Sequence, residues 1–262
     1  MQWALVTGAC SGIGLELARG LAQRGHPLVL VSNREKELLE AAATLRAAHG
    51  VEVQAVVSDL ARASAAAELY AEVKGRGLEI EILVSNAGML LFGEVAEADP
   101  TRLEALLVLH TVTPTLLARR FGADMRQRRS GHLLFVSSIS AWRPFPSIAA
   151  YGASKRYLLD FAEALRAELI VWGVNVTCLS PGAVATGLYD SRVNVALAKK
   201  LQVMVEPAFV ARVALRAMFK RRARVMPGLG AKLMAWGMAL CPGWLVSLAR
   251  RYSGLLPMPD RR

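Results

Sequence analysis

Cysteine is scarce in this chain. Three thiols occur in 262 residues, Cys10, Cys178 and Cys241, an odd number with no C-x-x-C spacing. That excludes a disulfide framework and points to reduced thiols in a cytoplasmic protein. Histidine is nearly as rare. His26, His49, His110 and His132 are scattered without metal-ligand spacing, so no metal site is expected. No repeat recurs at a fixed period and no segment is low-complexity, which excludes solenoids and disordered linkers. No basic n-region or small-residue cleavage site stands between Met1 and the first apolar run, so no signal peptide is expected. Acid is the under-represented charge: 21 Asp and Glu against 32 Lys and Arg give a formal charge of +11 and a pI of about 10.1.

The basic residues gather at Arg119-Arg120, at 126–129, at Lys220-Arg221-Arg222 and at Arg250-Arg251. Such a balance suits anionic partners: nucleotide phosphates, an acidic lipid surface or nucleic acid. No zinc finger, arginine comb or aromatic RNA platform accompanies the charge, so nucleic acid is not expected. Solvated faces are the ordinary reading of such clusters. Hydrophobic residues make up 54% of the chain, enough to bury the core of one large α/β domain and not two.

Short apolar runs at 3–7, 28–31, 51–57, 80–84, 133–137 and 174–179 alternate with helical patterns at 12–24, 34–48, 61–74, 100–128 and 149–172. The runs are mostly unalternating, as in parallel strands covered by helices on both faces. The predicted fold is therefore α/β, a Rossmann-type doubly wound parallel sheet of about seven strands. Beyond Pro181-Gly182 the pattern loosens. Residues 186–204 form a candidate lid, 207–219 read as a helix and 223–226 as a last edge strand. Residues 233–249 carry no charge and include Trp236 and Trp244, but Pro242-Gly243 interrupts them. An interfacial helix pair or an apolar flap on the core fits this stretch better than a membrane span. The expected division is a nucleotide-binding domain over 1–228 and an apolar, basic extension over 229–262.

Two motifs carry chemistry. The first is Thr7-Gly8-Ala9-Cys10-Ser11-Gly12-Ile13-Gly14, which follows a strand and opens a helix. Gly8 permits the tight turn, Gly12 lets backbone approach a pyrophosphate, and Gly14 allows close helix–sheet packing. The helix N-terminus, through Ser11, Gly12 and Ile13, then offers N–H groups and a favourable dipole to the anion. The second is Tyr151-Gly152-Ala153-Ser154-Lys155, thirteen residues after Ser138. Positions i and i+4 share a helix face, so Tyr151 and Lys155 can address one site. Tyrosine at its ordinary pKa of about 10 is a poor acid–base group at neutral pH, and a nearby ammonium stabilises the phenolate. A serine at the end of the strand before, Ser138 or its neighbour Ser137, would hydrogen-bond the substrate oxygen.

Together these residues resemble a classical short-chain dehydrogenase/reductase, over roughly residues 3–190. The resemblance selects Ser138 over Ser137 by its spacing to Tyr151, and implies that Lys155 also binds the nicotinamide ribose. It matches Asp59-Leu60 to the pair that contacts adenine. It matches Asn86-Ala87-Gly88 to the motif steadying the central sheet, with Ser85 in place of the usual Asn. Pro181-Gly182 and Thr186 match the segment against the nicotinamide. The family's Asn on the long central helix becomes His110 here, aligned through Pro114. His110 could relay protons, slow the reaction or pack between helices. The resemblance also implies a homodimer or homotetramer.

The cofactor can be argued from charge. An acid at the end of the second strand would accept from a ribose 2′-OH and repel a 2′-phosphate. Here that segment reads Ser32-Asn33-Arg34. Asn33 and Arg34 therefore favour NADP(H) over NAD(H), with Arg34 as the partner of the 2′-phosphate; the alternative is a solvated Arg34 in a helix's first turn. The segments expected around the substrate, 89–92, 141–146 and 186–204, are largely apolar with Trp142, Phe145 and Tyr189. A hydrophobic carbonyl or alcohol is the expected substrate, interconverted by hydride transfer with Tyr151 as acid and base. A substrate drawn from lipid would add a peripheral membrane contact. The rival readings are a catalytically weak NADP-binding sensor or scaffold, and a 3-oxoacyl-thioester reductase using Arg126, Arg128 and Arg129 to hold an acidic carrier.

Overall fold

Seven short segments pair into one parallel sheet, and four of them, 3–7, 28–32, 80–85 and 174–179, are buried along their whole length. The computed structural model describes residues 2–184, 204–228, 230–233 and 237. In chain order the strands are β1 (Trp3–Thr7), β2 (Leu28–Ser32), β3 (Val53–Val57), β4 (Ile80–Ser85), β5 (Gly131–Val136), β6 (Val174–Leu179), β7 (Ala183–Val184), β8 (Met204–Val205) and β9 (Arg224–Val225). The main sheet has the order β3-β2-β1-β4-β5-β6-β9, and every pairing in it is parallel. β7 and β8 form a separate small ladder.

The helices are α1 (Gly12–Ala22), α2 (Glu35–His49), α3 (Ala65–Gly75), α4 (Pro100–Leu107), α5 (Thr113–Arg128), α6 (Ala149–Leu169) and α7 (Pro207–Phe219). They divide between the two faces of the sheet. Alternate strand residues Leu5, Val29, Leu133 and Val176 pack with Leu69, Phe121, Leu158 and other residues of α3, α5 and α6. The intervening residues Val6, Leu28, Leu134 and Leu179 pack with Leu17, Leu38, Val210 and other residues of α1, α2 and α7. Strand alternation alone thus builds two cores from one sheet.

Local signals place the helix ends. Asp99 caps α4 by accepting from the Thr101 amide at 2.9 Å, with Pro100 at the first helical position, where a missing N–H costs nothing. Pro207 likewise takes the first position of α7. The helix expected over 100–128 is not uniform. A π turn at Val108–Val112 separates α4 from α5, and the Thr113 N–H reaches back to the Val108 carbonyl. Pro114 has no N–H to give the carbonyl of His110, the bond a regular α-helix would make there. The strand expected from residue 51 starts at Val53, and the one expected over 133–137 runs from Gly131 to Val136.

Basic residues close α5 and α7: Arg126 and Arg128 on the one, Arg216 on the other. There they complement the negative ends of the helix dipoles. Arg128 pairs with Glu79 at 3.2 Å and donates to the Ile80 carbonyl at 2.8 Å, while Arg126 lies over the Trp172 ring at 4.1 Å. Among the described residues, no helix is long and apolar enough to cross a membrane. The candidate lid at 186–204 lies outside the described residues except for Met204. So does the apolar stretch at 233–249, except for Leu233 and Gly237.

Candidate active site

The carboxyl ends of β1, β2, β4, β5 and β6 open into a cleft of about 660 Å³. Ligands of open parallel sheets bind at such an edge. Gly8, Ser11, Gly12, Ile13, Asn33, Arg34, Asp59, Leu60, Asn86, Ala87, Gly88, Ser138, Tyr151, Lys155, Pro181 and Gly182 all line it. Thr186 lies outside the described residues. Two expected residues do not reach the cleft wall, Gly14 and His110. Both work from behind it.

The glycine turn is held by an interlocked set of bonds. Thr7 Oγ1 donates to the Val84 carbonyl at 3.2 Å and accepts from the amides of Asn86 and Ala87 at 2.9 and 3.0 Å. The Asn86 side-chain amide donates to the carbonyls of Thr7 and Gly8 at 3.0 and 3.2 Å. The ends of β1 and β4 are thereby clasped under the turn. Ser85, where the family has Asn, is buried, and its hydroxyl finds no partner among the described residues. Gly8 takes φ +65°, and a Cβ on Gly14 would stand 2.1 Å from the Gly8 carbonyl oxygen. Side chains are therefore excluded at both places, which leaves room for backbone to approach a ligand at Gly8 and for α1 to pack on the turn at Gly14. Ser11 is the N-cap of α1 in extended conformation, yet its side chain makes no capping bond. The first amides of α1 stay available to an anion.

Arg34 stands across this turn. Its Nη2 donates to Ser11 Oγ at 2.6 Å and contacts Cys10 Sγ at 3.0 Å. Ser32 Oγ accepts from the Arg34 amide at 3.2 Å and meets Cys10 Sγ at 3.1 Å. Glu37, 3.5 Å from the guanidinium, is its one carboxylate partner among the described residues. The cluster joins one guanidinium and two hydroxyls beside the helix start, a set of groups suited to a phosphate monoester. Its residues and the glycine-rich turn fit a nicotinamide dinucleotide.

On the opposite wall, α6 presents Tyr151 and Lys155 from one face. Lys155 is buried and donates to the Val136 carbonyl at 3.0 Å. Its Nζ lies 5.6 Å from the centre of the Tyr151 ring. Burial pulls the ammonium down from its ordinary 10.5 to about 8, opposed by the Cys178 thiol beneath it. Burial in turn pushes Cys178 up to about 12. The two serines after β5 part company. The Ser137 hydroxyl is buried and donates to the Lys155 carbonyl at 2.6 Å. Ser138 Oγ accepts from the Ser140 amide at 3.2 Å, so its own hydrogen remains for a ligand oxygen.

The profile of the short chain dehydrogenase family matches residues 2–195 of this chain. The chain belongs to the short-chain dehydrogenase/reductase family. Dehydrogenase/reductase SDR family member 4 of Sus scrofa is 33% identical over 184 residues, which are 70% of this chain and 66% of that protein. The chain thus matches slightly under two thirds of that relative's length. A short-chain dehydrogenase from Sphingobium yanoikuyae, solved in complex with NADPH, superposes with a TM-score of 0.80 at 27% identity, covering 100% of this chain and 98% of that one. The bulky-bulky ketone specific alcohol dehydrogenase from Comamonas testosteroni gives 0.78 at 25% identity, covering 100% and 97%.

Within this short-chain dehydrogenase/reductase, three participants escaped the sequence reading. The Met89 amide and Ser154 bind the two nitrogens of His110, and Ser32 buttresses Arg34. Ser154 carries a signal in its place three residues after Tyr151. The π turn carries one in Pro114. The Met89 amide has none, since a backbone donor leaves no trace in side-chain identity.

Proposed function

We propose that the chain is an NADP(H)-dependent oxidoreductase that interconverts a carbonyl and a secondary alcohol on a hydrophobic substrate. One observation carries the reading: Ser138, Tyr151 and Lys155 share a cleft with a glycine-rich turn at the start of a helix. A bound nicotinamide would supply the hydride. Ser138 donates its hydroxyl hydrogen to the substrate oxygen and orients it. Tyr151 gives that oxygen a proton in reduction and takes it back in oxidation. Lys155 places a positive charge beside the phenol and stabilises the phenolate.

Gly8, Ser11, Gly12 and Ile13 would hold the pyrophosphate, with Asp59 and Leu60 at the adenine. Asn33 and Arg34 would take the 2′-phosphate, for which the guanidinium over Ser11 is the support. The NADPH complex of the Sphingobium relative favours the same choice. Asn86, Ala87, Gly88, Pro181, Gly182 and Thr186 would line the nicotinamide end. The apolar walls at Met89 and Leu109 favour a hydrophobic substrate, and the bulky-bulky ketone named for the Comamonas relative favours a carbonyl. The thioester reading has less support. Arg126, Arg128 and Arg129 precede β5 while Ser138 follows it, so a six-residue strand, ~20 Å, separates a carrier docked there from the reacting groups.

The nucleotide-binding domain would span 1–228, with 229–262 an apolar, basic extension packed on or beside it in a cytoplasmic protein; a substrate drawn from lipid would add a peripheral membrane contact. Exposed Leu107, Val112 and Tyr157 on α4 to α6 support pairing into a homodimer or homotetramer. A monomer in sedimentation, or failure to float with vesicles, would remove those two extensions. The central test is a fluorescence titration with NADPH and NADH, followed by turnover of hydrophobic ketones with the parent and Tyr151→Phe. Turnover should collapse in the variant while NADPH still binds. Equal turnover would sink the mechanism, and binding of neither nucleotide would bring forward the sensor reading.

A further inference from the structure

His110 sits at the middle of the π turn between α4 and α5. The ring is 1% exposed, so it reaches neither solvent nor the cleft. Its two nitrogens meet different parts of the chain. The Met89 amide donates to Nε2 at 3.0 Å, so Nε2 holds a lone pair and not a proton. Nδ1 lies 2.9 Å from Ser154 Oγ. That hydroxyl donates its single hydrogen to the Tyr151 carbonyl at 2.8 Å. Ser154 Oγ can therefore only accept from the ring, and Nδ1 holds the imidazole hydrogen.

A neutral ring satisfies all three bonds at once. An imidazolium would set a second N–H against the Met89 amide. Burial first, and the Lys155 charge second, hold His110 well below its ordinary 6.5, in keeping with that state. Lys155 is the charged group facing the ring, and the Tyr151 ring stands edge-on to it at 5.6 Å. Gly88 admits the imidazole: a Cβ there would stand 2.9 Å from Nε2 and 3.5 Å from Lys155 Nζ.

We propose that His110 is a positioning residue, which ties the Met89 amide to the Tyr151 carbonyl through Ser154 and carries no proton to or from the substrate. A relay needs a nitrogen that meets water or ligand and changes its protonation in turn. Both nitrogens here are committed to protein. What the chain of bonds does control is the first turn of α6. A serine hydroxyl bonded back to a carbonyl of the preceding turn bends a helix, and this one acts on the residue that bears the phenol. The effect on turnover rests on the oxidoreductase reading; the bonding itself does not.

Single substitutions separate the two arms. Asn places its amide nitrogen near the position of Nδ1, and Gln places its carbonyl oxygen near that of Nε2. His110→Asn therefore keeps the Ser154 arm, His110→Gln keeps the Met89 arm, and Ser154→Ala cuts the link to Tyr151 with the imidazole intact. Ser154→Ala and His110→Gln should each lower kcat on the order of 10-fold, the size of one neutral hydrogen bond that aims a reacting group. The KM for NADPH and the positions of the pH limbs should stay as in the parent, and His110→Asn should lose less.

Two readouts need neither turnover nor cofactor. Nitrogen NMR of histidine-labelled protein at pH 7 should find Nδ1 protonated and Nε2 bare. Hydrogen exchange at the Met89 amide should quicken in His110→Asn and hold in His110→Gln. A proton on Nε2, or a Ser154→Ala protein with the parent's kcat, overturns the proposal. So does a displaced acid limb in His110→Gln without one in Ser154→Ala, which is the mark of a relay. If the parent reduces no carbonyl, the oxidoreductase reading fails by itself, and the NMR and exchange results still decide the clamp.

Discussion

Replacing Lys155 with Met should stabilise the protein even as it removes a reacting group. Lys155 is 4% exposed, and burial lowers its ammonium from 10.5 to about 8. A change of that size means that folding disfavours the charged form by ~3 kcal/mol. The unfolded chain keeps this proton up to pH 10.5, whereas the folded protein releases it near pH 8. Between those values the unfolded state binds more protons, so stability rises with pH across the window. Below about pH 8 the whole cost is present, and above about pH 10.5 it is gone. Methionine fills a similar volume without charge. It forfeits the bond to the Val136 carbonyl, a loss of about 1–2 kcal/mol. The variant should therefore be more stable than the parent at pH 7 by about 1–2 kcal/mol, with the advantage fading or reversing toward pH 10. Urea unfolding without cofactor, followed by circular dichroism at pH 7, 9 and 10, reads the difference. His110 and Cys178 feel the Lys155 charge, but burial keeps both neutral in the folded protein at these pH values, and the groups that do not face Lys155 cancel. A variant less stable at pH 7, or a difference that does not move with pH, would refute the account of Lys155 as an uncompensated buried cation.

Two further substitutions test the nucleotide half. Arg34→Ala removes the guanidinium held over Ser11; NADPH affinity should fall about 10- to 100-fold, as for loss of a charge-assisted hydrogen bond, with NADH little changed in the same titration. Parallel losses for both nucleotides would remove Arg34 from the 2′-phosphate. Gly14→Ala would drive a Cβ to 2.1 Å from the Gly8 carbonyl oxygen and 2.4 Å from Asn86 Nδ2. It should cost at least ~2 kcal/mol in urea unfolding and abolish nucleotide binding, and a stable variant that binds normally would disprove the close packing of α1 on the turn.

Much of the molecule follows from spacing along the chain. The unalternating apolar runs announce strands buried on both faces, and the parallel sheet is their consequence. The i, i+4 interval of Tyr151 and Lys155 puts both on one face of α6, because 3.6 residues make a turn. The glycine pattern after β1 calls for a tight turn, and Gly8 and Gly14 meet backbone where side chains would collide. Each of these signals is a local rule, read from residues a few positions apart.

Other features depend on elements that meet only when the chain folds. Ser137 and Ser138 are alike in sequence and both border the cleft, but the Ser137 hydroxyl donates to the Lys155 carbonyl while Ser138 Oγ accepts from the Ser140 amide. Arg34 is an ordinary arginine just before α2 until the start of α1 brings Ser11, 23 residues away, within 2.6 Å. His110 finds Met89 and Ser154 at separations of 21 and 44 residues, and those partners set its tautomer. Periodicity decides which face of a helix or strand a side chain shares. What stands opposite that face is decided by how separate elements pack, and there the protonation state and the work of a residue are settled.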